Sequence, residues 1–392
     1  MATRREVMVG AGVAAAAATL RGFPAIAQPR LFRIGVFVSE TDFYDAAMST
    51  GVEPYVSQMR LGLELAAAEI NAEGGLLGRP IELGYVNDGG SPPTADSVVR
   101  TIDELGAEAF VSGFVQASPR LVALRSDNRI PVLHASWVDA SYCGPVAKHF
   151  GPTLQQVVPA IHAHVPDAAR EHPFSISTWT PSGRAISQYL SGALGATHTG
   201  DALVTTPYPG NFPGEYRGVM GWAAEMGSTV IWQADPRPYA VNVVNQAVER
   251  GLADGRVFAF VDFSEWQAAQ LQPGASVVTC LPFIASDPSS GVRDFVGRAG
   301  AMASDGLVTH VAFTHYNAIL ALKAAIERSG EATSAGAIGG FEGGLTIETA
   351  TGPLTLEAGG YATMPLFVAT ASGGGGLEIV ERLEAVPSGA TC

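Results

Sequence analysis

The chain has 392 residues, 47% hydrophobic and 15% charged, enough apolar material for two domains with separate cores and too much for extended disorder. Its 37 acidic and 23 basic side chains leave a formal charge of −14, which repels phosphate backbones and anionic membrane surfaces and excludes nucleic acid as a natural partner. Three cysteines, Cys143, Cys280 and Cys392, lie far apart with no C-x-x-C pair, which argues against a zinc or dithiol site and leaves either one bridge or buried thiols.

Arg4-Arg5 precede an alanine-rich apolar run over residues 7–20, and Pro24-Ala25-Ile26-Ala27 supplies a small-residue cleavage site. Residues 1–27 therefore read as a signal peptide, of the twin-arginine type given the paired arginines. At about 14 residues the run falls short of the ~20 that a spanning helix needs, which argues against a permanent anchor. From residue 31, short β-rich runs alternate with longer stretches of helical period, the pattern of a parallel sheet covered by helices. Residues 31–38 predict a strand. Val56, Met59, Leu63, Ala66 and Ile70 then fall three or four apart, one apolar helical stripe that stops at Gly74-Gly75. Strands at 81–86, 109–111 and 131–133 and helices at 95–105 and 118–125 follow. Each strand exits into small or polar residues, starting with Asn87-Asp88-Gly89-Gly90, and in open parallel sheets ligands bind at those carboxyl-end loops.

The pattern restarts at residues 174–177 and continues through helices at 183–194, 216–226 and 239–250 and strands at 202–205, 229–232 and 257–261. Two similar series predict two similar lobes. A strand at 277–281, a long helix over 308–329 and a β-rich segment from Leu345 onward complete those lobes. The glycine-rich stretches 336–344 and 373–376 read as turns or loops, and neither has the strand-to-helix setting of a dinucleotide site.

Residues 60–83, with Gly74-Gly75 and then Gly78-Arg79-Pro80, resemble the helix, double glycine and second strand of the leucine/isoleucine/valine-type periplasmic binding proteins. Those proteins are the solute receptors of ABC importers and share a fold with amide and urea receptors. Asn87-Asp88, residues 128–133 and 316–322, and Thr351-Gly352-Pro353-Leu354-Thr355 extend the similarity over nearly all of the mature chain, more loosely after Pro152. The resemblance implies an α/β fold of two Rossmann-like lobes, each a parallel sheet flanked by helices. Three hinge crossings are expected near residues 151–154, 282–285 and 364–368. They divide the chain into a first lobe of residues 28–152 plus 284–364 and a second of 153–283 plus 365–392.

The same resemblance places the ligand between the lobes and assigns the loops that face it. The first contact loop falls on residues 114–118, with Gln116 and Ser118 as donors. The second falls on residues 134–138, where Ser136 offers a hydrogen bond and Trp137 an aromatic wall, while Val138 stands where the family carries a hydroxyl. His134 is either a ligand contact or a satisfied structural histidine. In the second lobe, Trp179 and Ser182 match the loop that covers the ligand, Asp235 follows a strand, and Asp262 aligns with the acid that receives an α-ammonium group. Each aspartate reads equally as a solvated loop acid or helix cap. Residues 42–55 carry Phe43 and Tyr44, as a lid or as a surface loop.

His162 and His164 are two apart on a helix and do not face one another, so they read as surface histidines. No Gly-x-Ser-x-Gly elbow, His-Glu-x-x-His helix or paired-carboxylate motif occurs, and neither an enzyme nor a cofactor is expected. The expectation is a periplasmic receptor without stable membrane insertion that delivers a small polar solute to an ABC transporter permease. The alternative is a sensory or regulatory module of the same fold that recognises an amide, a urea derivative or an aromatic compound. Asp262 favours an amino acid or its amide, whereas Val138, Phe114, Trp137 and Trp179 favour a flatter, less charged molecule.

Overall fold

The structure is a computed structural model and describes residues 30–38, 55–87, 103–112, 130–136, 144, 146–167, 173–178, 181–194, 201–204, 217–233 and 240–390. The expected leader and the expected helix at 118–125 lie outside these residues, as does most of that at 95–105.

Strand β1 (Phe32–Val38) is buried at every position but Arg33, as a strand covered on both faces must be. It belongs to a parallel sheet ordered β2-β1-β3-β4-β5, with β2 at Ile81–Asn87, β3 at Ala109–Ser112, β4 at Val132–His134 and β5 at Ala147–His149. Helix α1 (Tyr55–Ala72) buries Met59, Leu63, Ala66 and Ile70 of the predicted stripe, with Val56 partly buried. It ends where Gly74 and Gly75 take φ of +105° and +78°, a region that side chains resist. Arg79 then ties the turn down. Its guanidinium donates to Arg30 O at 3.1 Å, to Leu31 O at 2.5 Å and to Ala332 O, and it pairs with Glu108.

The second sheet starts after α2 (Leu154–His164). It runs through β6 (Pro173–Thr178), α3 (Pro181–Ala193), β7 (Asp201–Val204), α4 (Arg217–Glu225), β8 (Val230–Gln233), α5 (Ala240–Glu249), β9 (Val257–Phe260), α6 (Glu265–Ala268) and β10 (Ser276–Leu281). Strands β7, β6, β8, β9 and β10 lie side by side in parallel. Period-two alternation splits the core: Ile231, Phe258, Phe260 and Val277 pack on one face, Trp232, Ala259, Val261 and Val278 on the other.

The chain passes from the first sheet to the second between β5 and α2, and returns after β10 into α7 (Ser290–Met302) and α8 (His310–Ser329), which pack on α1. Phe283 anchors this return, stacked on Phe313 at 4.9 Å and edge-on to Phe295 at 5.5 Å. Next come α9 (Ser334–Phe341) and the hairpin β11 (Leu345–Thr349) and β12 (Gly352–Leu356). Strand β13 (Ala362–Ser372) then makes the third passage, pairing with β12 at its start and with β10 and β14 (Glu378–Val386) beyond. Gln156 joins the first passage to the third, donating to Ala362 O at 3.0 Å and Val386 O at 2.7 Å.

Residues 336–344, expected as loop, are helical up to Phe341. Thr333 caps α9, and Gly340 lies so close to α8 that a Cβ there would stand 1.9 Å from Ala325 O. Gly340 permits helix contact instead of breaking a helix. Cys280 is a buried free thiol, while Cys143 and Cys392 fall outside the described residues. His164 is half-buried and faces Glu381 at 3.1 Å. Among the described residues, no helix is long and apolar enough to cross a membrane, and no group of three or more His, Cys, Asp or Glu could hold a metal.

Candidate functional site

The carboxyl ends of β4, β9 and β10 meet the start of α1 and α8 around a narrow cleft. Ala135 and Ser136 follow β4, Val261 and Asp262 follow β9, and Leu281 closes β10. Pro152 and Pro282, one from each of the first two passages, also line it. Parallel strands direct their chain exits to one edge, so two facing sheets bring their variable loops together here.

Of the residues picked from sequence, Ser136 and Asp262 line this cleft together. His134 does not. It is buried at the end of β4 with its ring 5.5 Å from that of His149, which in turn stacks on Tyr361 at 4.2 Å. Gln116, Ser118, Trp137, Trp179, Asp235 and Tyr44 lie outside the described residues, and Ser182 falls in the first turn of α3 with its side chain outside them. Asp262 is 3% exposed and is therefore not a solvated loop acid; nor does it cap α6, whose N-cap is Ser264.

Sequence reasoning missed the partner of Asp262. His310 Nε2 stands 2.8 Å from Asp262 Oδ1, an ion pair whenever the imidazole is protonated, with side chains 9% and 2% exposed. The turn that carries His310 is held from α1: Gln58 donates to Leu307 O at 2.9 Å and accepts from Thr309 N–H at 2.8 Å. Thr309 then caps α8, accepting from Val311 N–H. A Thr-His pair just before a long apolar helix was the available signal, but the sequence alone reads it as a helix start.

Tyr55 opens α1 at the cleft, its ring edge-on to buried His315 at 6.1 Å. His315 Nδ1 lies 2.7 Å from Val311 O, which fixes that ring along the helix. The Thr314 hydroxyl donates to Val311 O at 3.2 Å and keeps its lone pairs for an acceptor role. The second passage is held as firmly: Glu265 accepts from the N–H groups of Ala285 at 2.7 Å and Ser286 at 3.0 Å. The arrangement can enclose a small molecule between an apolar wall and a few hydroxyl, imidazole and carboxylate groups.

The family described as periplasmic binding protein matches residues 46–376. The fold is similar to that of a solute-binding protein of an ABC transporter from Rhodopseudomonas palustris BisB5, solved with 3,4-dihydroxybenzoic acid (16% identity, 92% of this chain and 99% of that one, TM-score 0.75). It is also similar to a leucine-binding protein from Thermotoga maritima (13%, 90% and 99%, 0.74). A leucine-, isoleucine-, valine-, threonine- and alanine-binding protein from Brucella ovis in a closed conformation is a third likeness (14%, 91% and 96%, 0.73). No curated protein sequence matches the chain.

Proposed function

Because the chain belongs to the periplasmic binding protein family, we propose that it is the solute-binding component of an ABC importer, capturing one small polar molecule between its lobes. The family resemblance read from residues 60–83 is thus borne out, and so is the α/β architecture of parallel sheets flanked by helices. Family membership implies an extracytoplasmic location. We read residues 1–27 as the leader that sends the protein there and a membrane permease as its partner.

The observation that carries this reading is the cleft itself. It lies where the parallel strands of two sheets end in carboxyl-end loops, and residues of two of the three passages line it. In our reading these passages bend as hinges, so that the lobes close on the ligand and exclude water. The ligand is a carboxylate-bearing or amide-like molecule of amino acid size or a small aromatic acid. Among the fold neighbours, one was solved with an aromatic acid and others are described as binding aliphatic amino acids.

A thermal-shift screen of amino acids, amides and aromatic acids tests this. A ligand at a hundred times its Kd stabilises the native state by about 2.7 kcal/mol, so a true solute raises the midpoint by several degrees. Turnover of a hit by the purified protein would overturn the reading as a binder.

A further inference from the structure

Among the described residues the cleft is lined by one carboxylate, Asp262, and the fold turns that carboxylate toward a side chain of its own. His310 Nε2 lies 2.8 Å from Asp262 Oδ1, and both side chains are buried. The position of the ring is built in: the Gln58 clamp on Leu307 and Thr309, and the Thr309 cap, fix the first turn of α8.

A buried carboxylate facing an open cleft is a seat for a cationic ligand group. One already in contact with an imidazole is not, because an incoming ammonium has to displace or repel that ring before it gains the Coulomb energy of the carboxylate. A ligand carboxylate meets the opposite situation. The hydroxyls of Tyr55 and Ser136 and the imidazole of His310 line the cleft with groups that can donate to an anion, and α8 points its N-terminus at the same space. The rest of the lining, Val261, Leu281 and Val311 among it, suits an apolar skeleton.

We propose that His310 is a specificity-determining residue: by occupying Asp262 it sets the cleft for a small monocarboxylate and against the amino acid built on the same skeleton. The proposal rests on the reading of the cleft as a solute site and names its ligand class. It departs from the family resemblance, which gives Asp262 to a ligand ammonium.

Matched pairs isolate the one group in question. Leucine against isocaproate and phenylalanine against hydrocinnamate differ only in the α-ammonium, and calorimetric titration of the mature protein gives each Kd. Wild type is expected to bind the acid lacking the amino group at least about tenfold more tightly than its amino acid partner. His310→Gln should shift that ratio toward the amino acid by about tenfold or more, and adding Asp262→Asn to it should remove the shift. His310→Asn, whose side chain is too short to keep the contact, serves as the second variant if His310→Gln does not fold. Equal or tighter binding of the amino acids by wild type, capture of neutral amides alone, or a ratio unchanged in the His310 variants overturns the proposal and leaves the solute reading standing. Binding of no carboxylate, amino acid or amide at all sinks both.

Discussion

His310 and Asp262, 2.8 Å apart, join two parts of the chain that meet only through the fold: the first turn of α8, packed on α1, and the loop after β9 in the second sheet. Both residues line the cleft.

Taking away one member of a buried pair leaves the other's polar group in a site without water. Asp262→Leu or His310→Leu alone is expected to cost about 3–5 kcal/mol, whereas the double replacement should cost clearly less than the sum. Urea unfolding of the three variants measures this coupling. Strictly additive losses would show that the two groups do not act as a pair.

Arg79 gathers three carbonyls and Glu108 around one guanidinium in a mostly buried setting. Lysine can carry the charge but not the planar fork, so Arg79→Lys should lose most of what Arg79→Met loses, on the order of 3 kcal/mol. Melting midpoints of the two variants within a degree or two of each other and well below wild type are expected. A lysine variant as stable as wild type would contradict the geometric argument.

Two helical glycines should respond in opposite directions to alanine. A Cβ on Gly62 would stand 2.1 Å from Ala312 O, forcing α1 and α8 apart, at a cost of about 1–3 kcal/mol. Gly297 in α7 has nothing within 4 Å of its Cβ position, so Gly297→Ala should stabilise by roughly 0.5–1 kcal/mol through helix propensity. Chemical denaturation of both distinguishes contact from propensity: changes of the same sign would refute it.

Lys148 is buried in β5, and burial pushes its ammonium below the ordinary lysine range, with Glu342 pulling the other way. In the window between its folded and unfolded values the unfolded chain binds more protons, so stability rises with pH there. Lys148→Met should therefore be more stable than wild type at neutral pH, by a margin that narrows as pH approaches about 10. Melting curves of the two proteins across that range check the sign; a margin that widens with pH would be the wrong one.

Much of the first lobe was legible because local pattern and fold agree there: the α1 stripe, the Gly74-Gly75 stop and the alternation of strands and helices all follow from periodicity and turn chemistry. Strand β5 was not. Ala147-Lys148-His149 shows no apolar pattern, yet it is wholly buried, paired with β4 on one side and bridged at His149 to Tyr361 on the other. Helix α9 was hidden by its own glycines, one of which, Gly340, lets it seat on α8. At the cleft, Ser136 and Asp262 were visible as polar residues just after strands. His310 and Tyr55 were not, since each sits at a helix start and acquires its meaning only from a contact supplied by the distant part of the chain.

The central claim is that one solute is held in the cleft between the lobes, and blocking that space tests it most directly. Ser136→Trp places an indole among Tyr55, Asp262 and His310. With a solute found to bind wild type, calorimetric titration of the variant, shown to be folded by its cooperative melting without ligand, should show the saturable, one-to-one binding abolished. Undiminished binding in the blocked variant would contradict the account and move the solute site elsewhere on the molecule.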